Sequence, residues 1–198
     1  WYNGDLHVHM NYGGAYRNTP ERLAIQARAE GLNVVENLIV NKEQRIPDIG
    51  YWRTALLLSS PDLLIANGQE FHTGLWGHSS QLGLRDHYLL PDYAGYPGTA
   101  FASLAPTTAA VFDLAHEQGA LTGYVHPFDF RPDITAIQGG IPYELPVDVA
   151  LGKVDFLEVM GYSDHLITSD IWYKLLNCGF RLPAGGGTDA FPNFAQLR

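Results

Sequence analysis

Two histidines spaced two residues apart, His7 and His9 in Gly4-Asp5-Leu6-His7-Val8-His9, are the first residues along the chain able to do metal chemistry. Side chains alternate along a strand, so Asp5, His7 and His9 share one side and Leu6 and Val8 the other. Two imidazoles on one face of a strand end present two nitrogens to one cation. Taken alone, the pair is equally compatible with two histidines satisfied by hydrogen bonds at a strand terminus. Four further candidates stand at comparable strand ends: Glu70 in Gly68-Gln69-Glu70, His78 after Gly77, His126 in Tyr124-Val125-His126-Pro127, and Asp189 after Gly185-Gly186-Gly187-Thr188. A parallel α/β barrel collects its chemistry at the C-terminal ends of its strands, and this dispersed set favours a metal centre over chance. The single cysteine, Cys178, excludes a thiolate zinc site. Any metal therefore sits on His and carboxylate, a donor set that suits zinc, manganese and iron alike.

Together, Gly4 to His9, Gly68-Gln69-Glu70 with Gly77-His78, Tyr124 to Phe128 and Gly187-Thr188-Asp189-Ala190 resemble the PHP (polymerase and histidinol phosphatase) metallohydrolases, and within them the carbaryl-hydrolase-like CehA/McbA group. The resemblance covers nearly the whole chain. It implies a distorted barrel of seven parallel strands, one cation on His7, His9, Glu70 and Asp189, and a second on Glu70, His78 and His126, with Glu70 bridging. The commoner family pattern adds a third cation, whose ligands would fall here at Gly14, Val40 and Phe191. None of these side chains can ligate a metal. One or two divalent ions are therefore expected, with the third pocket filled by apolar packing and shaped for an aromatic group.

Two cations roughly 3.5 to 4 Å apart under a bridging carboxylate lower the pKa of a held water toward about 7, so no serine or cysteine nucleophile is required. The expected activity is metal-dependent hydrolysis of an ester, carbamate or amide bond in a small-molecule substrate, with an aromatic one in keeping with the apolar third pocket. The alternatives are a phosphoesterase, as the family resemblance implies, and a non-catalytic metal-stabilised module. His165, in Gly161-Tyr162-Ser163-Asp164-His165, is the candidate catalytic proton donor, with His72 a weaker one for the same role. Asp5 suits an acceptor for a ligand imidazole or an interior ion pair, and Glu158 is expected to buttress the barrel interior beside an Arg or a ligand His. Glu36 is similarly placed, with no partner identifiable. His87 and His116 read as solvated or structural. Tyr12, Tyr16, Trp52, Trp76, Tyr93 and Tyr96 either line a pocket or pack long loops.

Three segments repeat one scheme that would position these groups: a helix, a glycine, then an apolar strand. Thr19 and Pro20 open the first, with Leu23, Ala24 and Ala27 inward before Gly31 and a strand over 32–40. The second spans 107–118, with Ala110, Val111, Leu114 and Ala115 inward, then Gly119 and a strand over 121–126. The third runs from Ser169 to Gly179, followed by a strand over 180–186. Strands over 5–9, 63–71, 78–84 and 154–160 bring the number to about seven, the pattern of a parallel α/β protein. No Gly-x-Gly-x-x-Gly turn follows any of them, so a barrel is preferred to an open doubly wound sheet. Residues 41–62, 85–105 and 127–150 read as long loops after strands.

The 198 residues, 46% hydrophobic and 17% charged, are expected to form one globular domain over 1–198, cut from a longer protein. A net charge of −9 argues against nucleic acid as a partner, and no apolar run is long enough to span a bilayer. The compartment and the oligomeric state are not legible.

Overall fold

The computed structural model describes residues 1–12, 16–40, 48–89, 93–95, 98, 102–133, 135 and 142–193. Its elements run β1 (Gly4–Val8), α1 (Pro20–Ala29), β2 (Val34–Ile39), α2 (Thr54–Leu57), β3 (Leu64–Thr73), β4 (Ser79–Leu82), β5 (Tyr93–Ala94), α3 (Thr108–Glu117), β6 (Leu121–Tyr124), α4 (Leu145–Ala150), β7 (Phe156–Met160), α5 (His165–Asn177) and β8 (Ala184–Gly186). Seven strands form one sheet in the order β1-β2-β3-β4-β6-β7-β8, while β5 pairs with the end of β3. Beyond β8, Val8 and Ala190 form a parallel bridge and the His9 amide donates to the Ala190 carbonyl at 2.8 Å. The last strand's extension thus meets the first, and the sheet is nearly closed into an α/β barrel.

The barrel departs from the expected all-parallel arrangement at β4, which runs antiparallel to both β3 and β6. Only five residues separate β3 from β4, too few for a crossover and enough for a hairpin-like return. Because β4 is reversed, its N-terminal side lies at the same barrel mouth as the C-terminal ends of the parallel strands. His78, just before β4, therefore faces the residues that end its neighbours.

Helix α1 begins as its sequence dictates, with Thr19 accepting from the Arg22 amide, and it buries Leu23, Ala24 and Ala27 against Val8, Val35 and Ile65. Helix α3 is rotated from expectation: Val111, Phe112 and Ala115 are buried, whereas Ala110 and Leu114 are exposed. Gly119, with φ +74°, takes the left-handed conformation that ends α3 and lets the chain turn back into β6. Helix α5 starts at His165, four residues before Ser169, because Asp164 accepts from the amides of Leu166 and Ile167. The segment over 127–150 is not only loop, since it also contains α4.

A second cluster, Leu6, Leu38, Leu82 and Phe156, draws on β1, β2, β4 and β7. Strands so far apart in the sheet meet only across the interior of a closed barrel. Leu6 belongs to this interior, whereas Val8 packs against α1, so the two do not share a side as strict alternation requires. A register shift between Asp5 and Val8 explains it: three steps along β1 match two along β2.

Candidate metal centre

His7 on β1 and His9 just beyond its end converge on one point. His7 and His9 are buried, with their Nε2 atoms 3.1 Å apart. Asp189 Oδ1, from the loop after β8, lies 3.6 Å from His7 Nε2 and 3.2 Å from His9 Nε2. Glu70 Oε2, near the end of β3, lies 3.7 and 3.0 Å from the same two nitrogens. Four donors placed about 2.1 Å from one cation in a tetrahedron would be about 3.4 Å from each other. These five separations bracket that edge.

The other oxygen of Glu70 serves a second cluster. Oε1 lies 3.1 Å from His78 Nδ1 and 2.9 Å from His126 Nε2. The structure therefore brings together all six sequence-predicted metal residues, His7, His9, Glu70, His78, His126 and Asp189, around one carboxylate.

The tautomers of the first pair are set by what lies behind them. His9 Nδ1 faces the Leu38 carbonyl at 2.7 Å, and a carbonyl only accepts, so this nitrogen carries the hydrogen. His7 Nδ1 donates in the same way to Glu158 Oε2 at 2.9 Å. In the neutral rings both Nε2 lone pairs then point at each other and at two carboxylates. Such a cluster repels itself unless a positive charge enters it. Burial pulls the His7 pKa down, but Glu158 and Glu70 outweigh it and hold the ring well above the usual histidine range. His9 follows the same logic, raised by Asp189 and Glu70 against burial. For Glu70, burial is outweighed by the histidines around it, and its carboxyl stays well below the ordinary range. The site demands positive charge, and a divalent cation fits that demand with every lone pair already aimed.

Three local features hold this geometry. Glu158 also accepts from the His126 amide at 3.0 Å, so one carboxylate on β7 orients ligands from β1 and from the turn after β6. Gly187 is required by close approach: a Cβ there would sit 2.4 Å from His7 Cβ and 2.8 Å from Glu158 Oε2. His126 and Asp189 are the only two non-glycine residues with positive φ among the described residues, at 29° and 52°. Backbone held in that region costs on the order of 1–3 kcal/mol and persists where the surroundings over-determine it, as at functional sites.

Some expectations need correction. Asp5 accepts from no imidazole; its carboxylate takes the amides of His7 and Thr188 and the Thr188 hydroxyl, and so ties the Asp189 loop to β1. His165 is exposed in the first turn of α5 and does not line the cavity over the centre. Tyr162, three residues earlier, does. His72 is closer to the chemistry than expected, with Nε2 2.9 Å from Glu70 Oε2. Its parity with Glu70 was the signal available in the sequence. Glu158 is the buttress of a ligand histidine and not of an arginine. His116 bonds Asp155, which fits a structural role, and His87 is exposed.

The cavity over the centre has a volume of about 490 Å³. Tyr12, Phe191, Tyr162, Pro127 and Pro142 supply its less polar wall, and Asp129 an acidic edge. Phe191 stacks on His9, with centroids 5.7 Å apart and planes at 19°, and Tyr12 lies 3.9 Å from Phe191. Val40 is fully buried. Two of the three positions expected to lack a third-site ligand are thus apolar packing, and Gly14 lies outside the described residues. Of the other aromatic candidates, Trp52 packs against Tyr88, Trp76 bonds the Leu104 carbonyl and Tyr16 bonds Arg22. Tyr96 and the Tyr93 side chain lie outside the described residues.

No protein-family model matches the chain, and no curated protein does. Solved structures do. One is a protein from Bifidobacterium adolescentis ATCC 15703 whose metal-dependent phosphoesterase activity is itself a prediction; it shares 13% identity at a TM-score of 0.64, over 99% of this chain and 90% of that one. Another is a two-domain protein from Bacteroides vulgatus ATCC 8482 containing a predicted PHP-like metal-dependent phosphoesterase, with 18% identity and a TM-score of 0.59. The fold is PHP-like. The match to the Bacteroides protein covers 96% of this chain but 52% of that one, so the chain spans about half its length. PsfC from Pseudomonas syringae PB-5123 also matches, at 16% identity and a TM-score of 0.59, over 94% of this chain and 75% of that one. None of these matches supports the narrower likeness to the carbaryl-hydrolase-like group.

The exclusion of nucleic acid does not stand. A further match, at a TM-score of 0.49 and 20% identity over 81% of this chain and 42% of that one, is an endonuclease Q complex with a 27-mer duplex substrate bearing an abasic lesion at the active site. Net charge summed over a whole chain does not decide what reaches a centre whose buried donors call for positive charge.

Proposed function

We propose that this chain is a divalent-metal-dependent hydrolase that cleaves phosphoesters. The observation that carries the reading is the convergence of the His7 and His9 Nε2 atoms on Asp189 and Glu70, with both tautomers fixed from behind by Glu158 and Leu38. His7, His9, Asp189 and Glu70 would hold one cation, and Glu70, His78 and His126 a second. When bound, such cations act as Lewis acids toward the ester and activate a water. The phosphoester assignment draws support from the two predicted phosphoesterases that share the fold.

The chain's own residues supply position and exclusion. Glu158 and the Leu38 carbonyl keep both first-cluster imidazoles as Nδ1–H tautomers, which leaves Nε2 for the ion. Glu70 places one oxygen in each cluster and so fixes their separation. Phe191, stacked on His9, and Tyr12 beside it line the cavity and offer an aromatic wall for a substrate's organic part.

That wall favours a second reading, hydrolysis of an aryl ester, carbamate or amide, because apolar packing stands where a third cation would otherwise grip a phosphate. The two readings separate on metal-loaded protein offered p-nitrophenyl phosphate, bis(p-nitrophenyl) phosphate and p-nitrophenyl acetate. Chelator-sensitive turnover of a phosphoester supports the first reading. Chelator-sensitive turnover of the acetate alone reverses the order, and turnover unaffected by chelator overturns both.

A further inference from the structure

Glu70 has a neighbour that neither cation cluster uses. His72, two residues further along β3 and on the same side of the strand, is buried and holds its Nε2 2.9 Å from Glu70 Oε2. Its ring stacks on that of His78, with centroids 3.9 Å apart and planes only 10° from parallel. His72, His78 and Glu70 together have the composition of a metal site, and their ligand atoms lie close enough for one.

The stacking argues against a shared ion. An imidazole offers its lone pair in the plane of the ring. Two near-parallel rings almost 4 Å apart hold their lone pairs in two separate planes, which do not meet at one cation. His78, through Nδ1 on Oε1, belongs to the second cluster. His72 is left facing the opposite oxygen, Oε2, on which His9 also converges at 3.0 Å.

We propose that His72 is a positioning residue for the metal centre: its Nε2, packed 2.9 Å from Glu70 Oε2, sets the plane of the bridging carboxylate, so that Oε1 is presented to the second cation. A carboxylate oxygen has two lone pairs, so Oε2 can face a cation and the His72 ring nitrogen together. The stack on His78 locks the His72 ring, and it also keeps the His78 ring upright over Oε1. The first cation has His7, His9 and Asp189 besides Glu70. The second has only His78 and His126 besides Glu70, so it depends more on how the carboxylate is turned. Loss of this polar contact should therefore fall on the second cation.

This inference rests on the two-cation reading, and its test uses metal binding without any substrate. Metal-free wild type, His72→Leu and His72→Gln would be titrated with Zn²⁺ by calorimetry, with bound metal counted by elemental analysis and folding checked by circular dichroism. Wild type should bind two ions. His72→Leu should keep the tighter ion and lose roughly 10–100-fold in affinity for the weaker one, the usual effect of removing a group that orients a ligand. His72→Gln, which retains a polar side-chain nitrogen, should recover most of that loss. Should His72→Leu not fold, the glutamine variant decides alone: near-wild-type affinity supports the proposal. Two ions bound as in wild type by a folded leucine variant would overturn the positioning role. Equal losses in folded leucine and glutamine variants would overturn it too, in favour of direct ligation by His72. Wild type that binds no ion would instead overturn the two-cation reading itself.

Discussion

His7 Nδ1 lies 2.9 Å from Glu158 Oε2, a contact between residues 151 positions apart that joins β1 to β7 across the barrel interior. Both side chains are buried, at 0% and 1% exposure, so the pair is shielded from solvent screening. The same carboxylate accepts from the His126 amide. Through this one group the first and second clusters share a support.

Glu158→Gln keeps the shape but removes the negative charge and allows the amide to turn its NH₂ toward His7. The Nδ1–H tautomer then loses its preference. Affinity for the first cation is expected to fall roughly 10–100-fold, measured by Zn²⁺ titration of the metal-free protein. Unchanged affinity would show that the Glu158 contact does not prepare His7 for the ion.

Gly187→Ala tests the packing behind the same histidine. The new methyl would lie 2.4 Å from His7 Cβ and 2.8 Å from Glu158 Oε2, distances that force β1 or β7 to move. Overpacking of this kind costs about 1–3 kcal/mol. Chemical denaturation should show a loss of that order in the metal-free protein, together with weaker metal binding. A fully stable variant with wild-type affinity would mean the loop relaxes freely.

Glu36 gives a pH-dependent prediction away from the centre. Burial pushes its carboxyl up to about 7 from an ordinary value of 4.5, and its Oε2 has no hydrogen-bond partner among the described residues. The folded state therefore binds the proton more tightly than the unfolded chain does. Stability from this group is complete below the unfolded value and is lost as pH rises from about 4.5 to about 7, then levels off. The loss is on the order of 3 kcal/mol. Glu36→Gln should thus raise the midpoint of thermal unfolding over wild type at pH 8 and change it much less near pH 4.5. A difference that does not vary with pH would contradict this.

Much of the fold was legible because its signals are local. Thr19-Pro20 starts α1, Gly119 ends α3, and apolar runs mark the strands that follow. The reversal of β4 was not, since an apolar run carries no direction and only the short link from β3 betrays it. The six metal residues were legible by type and by position at strand ends. Their supports were less so: parity placed His72 beside Glu70, but nothing local linked Glu158 to His7 over 151 positions. Strict alternation along β1 also misled. The register shift after Asp5 redirects Leu6 inward and assigns Asp5 to the Thr188 loop instead of to an imidazole. His165 looked like a loop donor at the mouth until the cap from Asp164 drew it into an exposed helical turn.

The central claim is that His7, His9, Asp189 and Glu70 close on one cation while Glu70 reaches a second. Crystals of the Zn²⁺-loaded protein, measured on either side of the zinc absorption edge, test it most directly. The account predicts one anomalous peak about 2.0–2.2 Å from His7 Nε2, His9 Nε2 and carboxylate oxygens of Asp189 and Glu70, and a second beside Glu70 Oε1, His78 and His126. A loaded crystal with no peak within reach of His7 and His9, or with zinc only at surface residues, would contradict it.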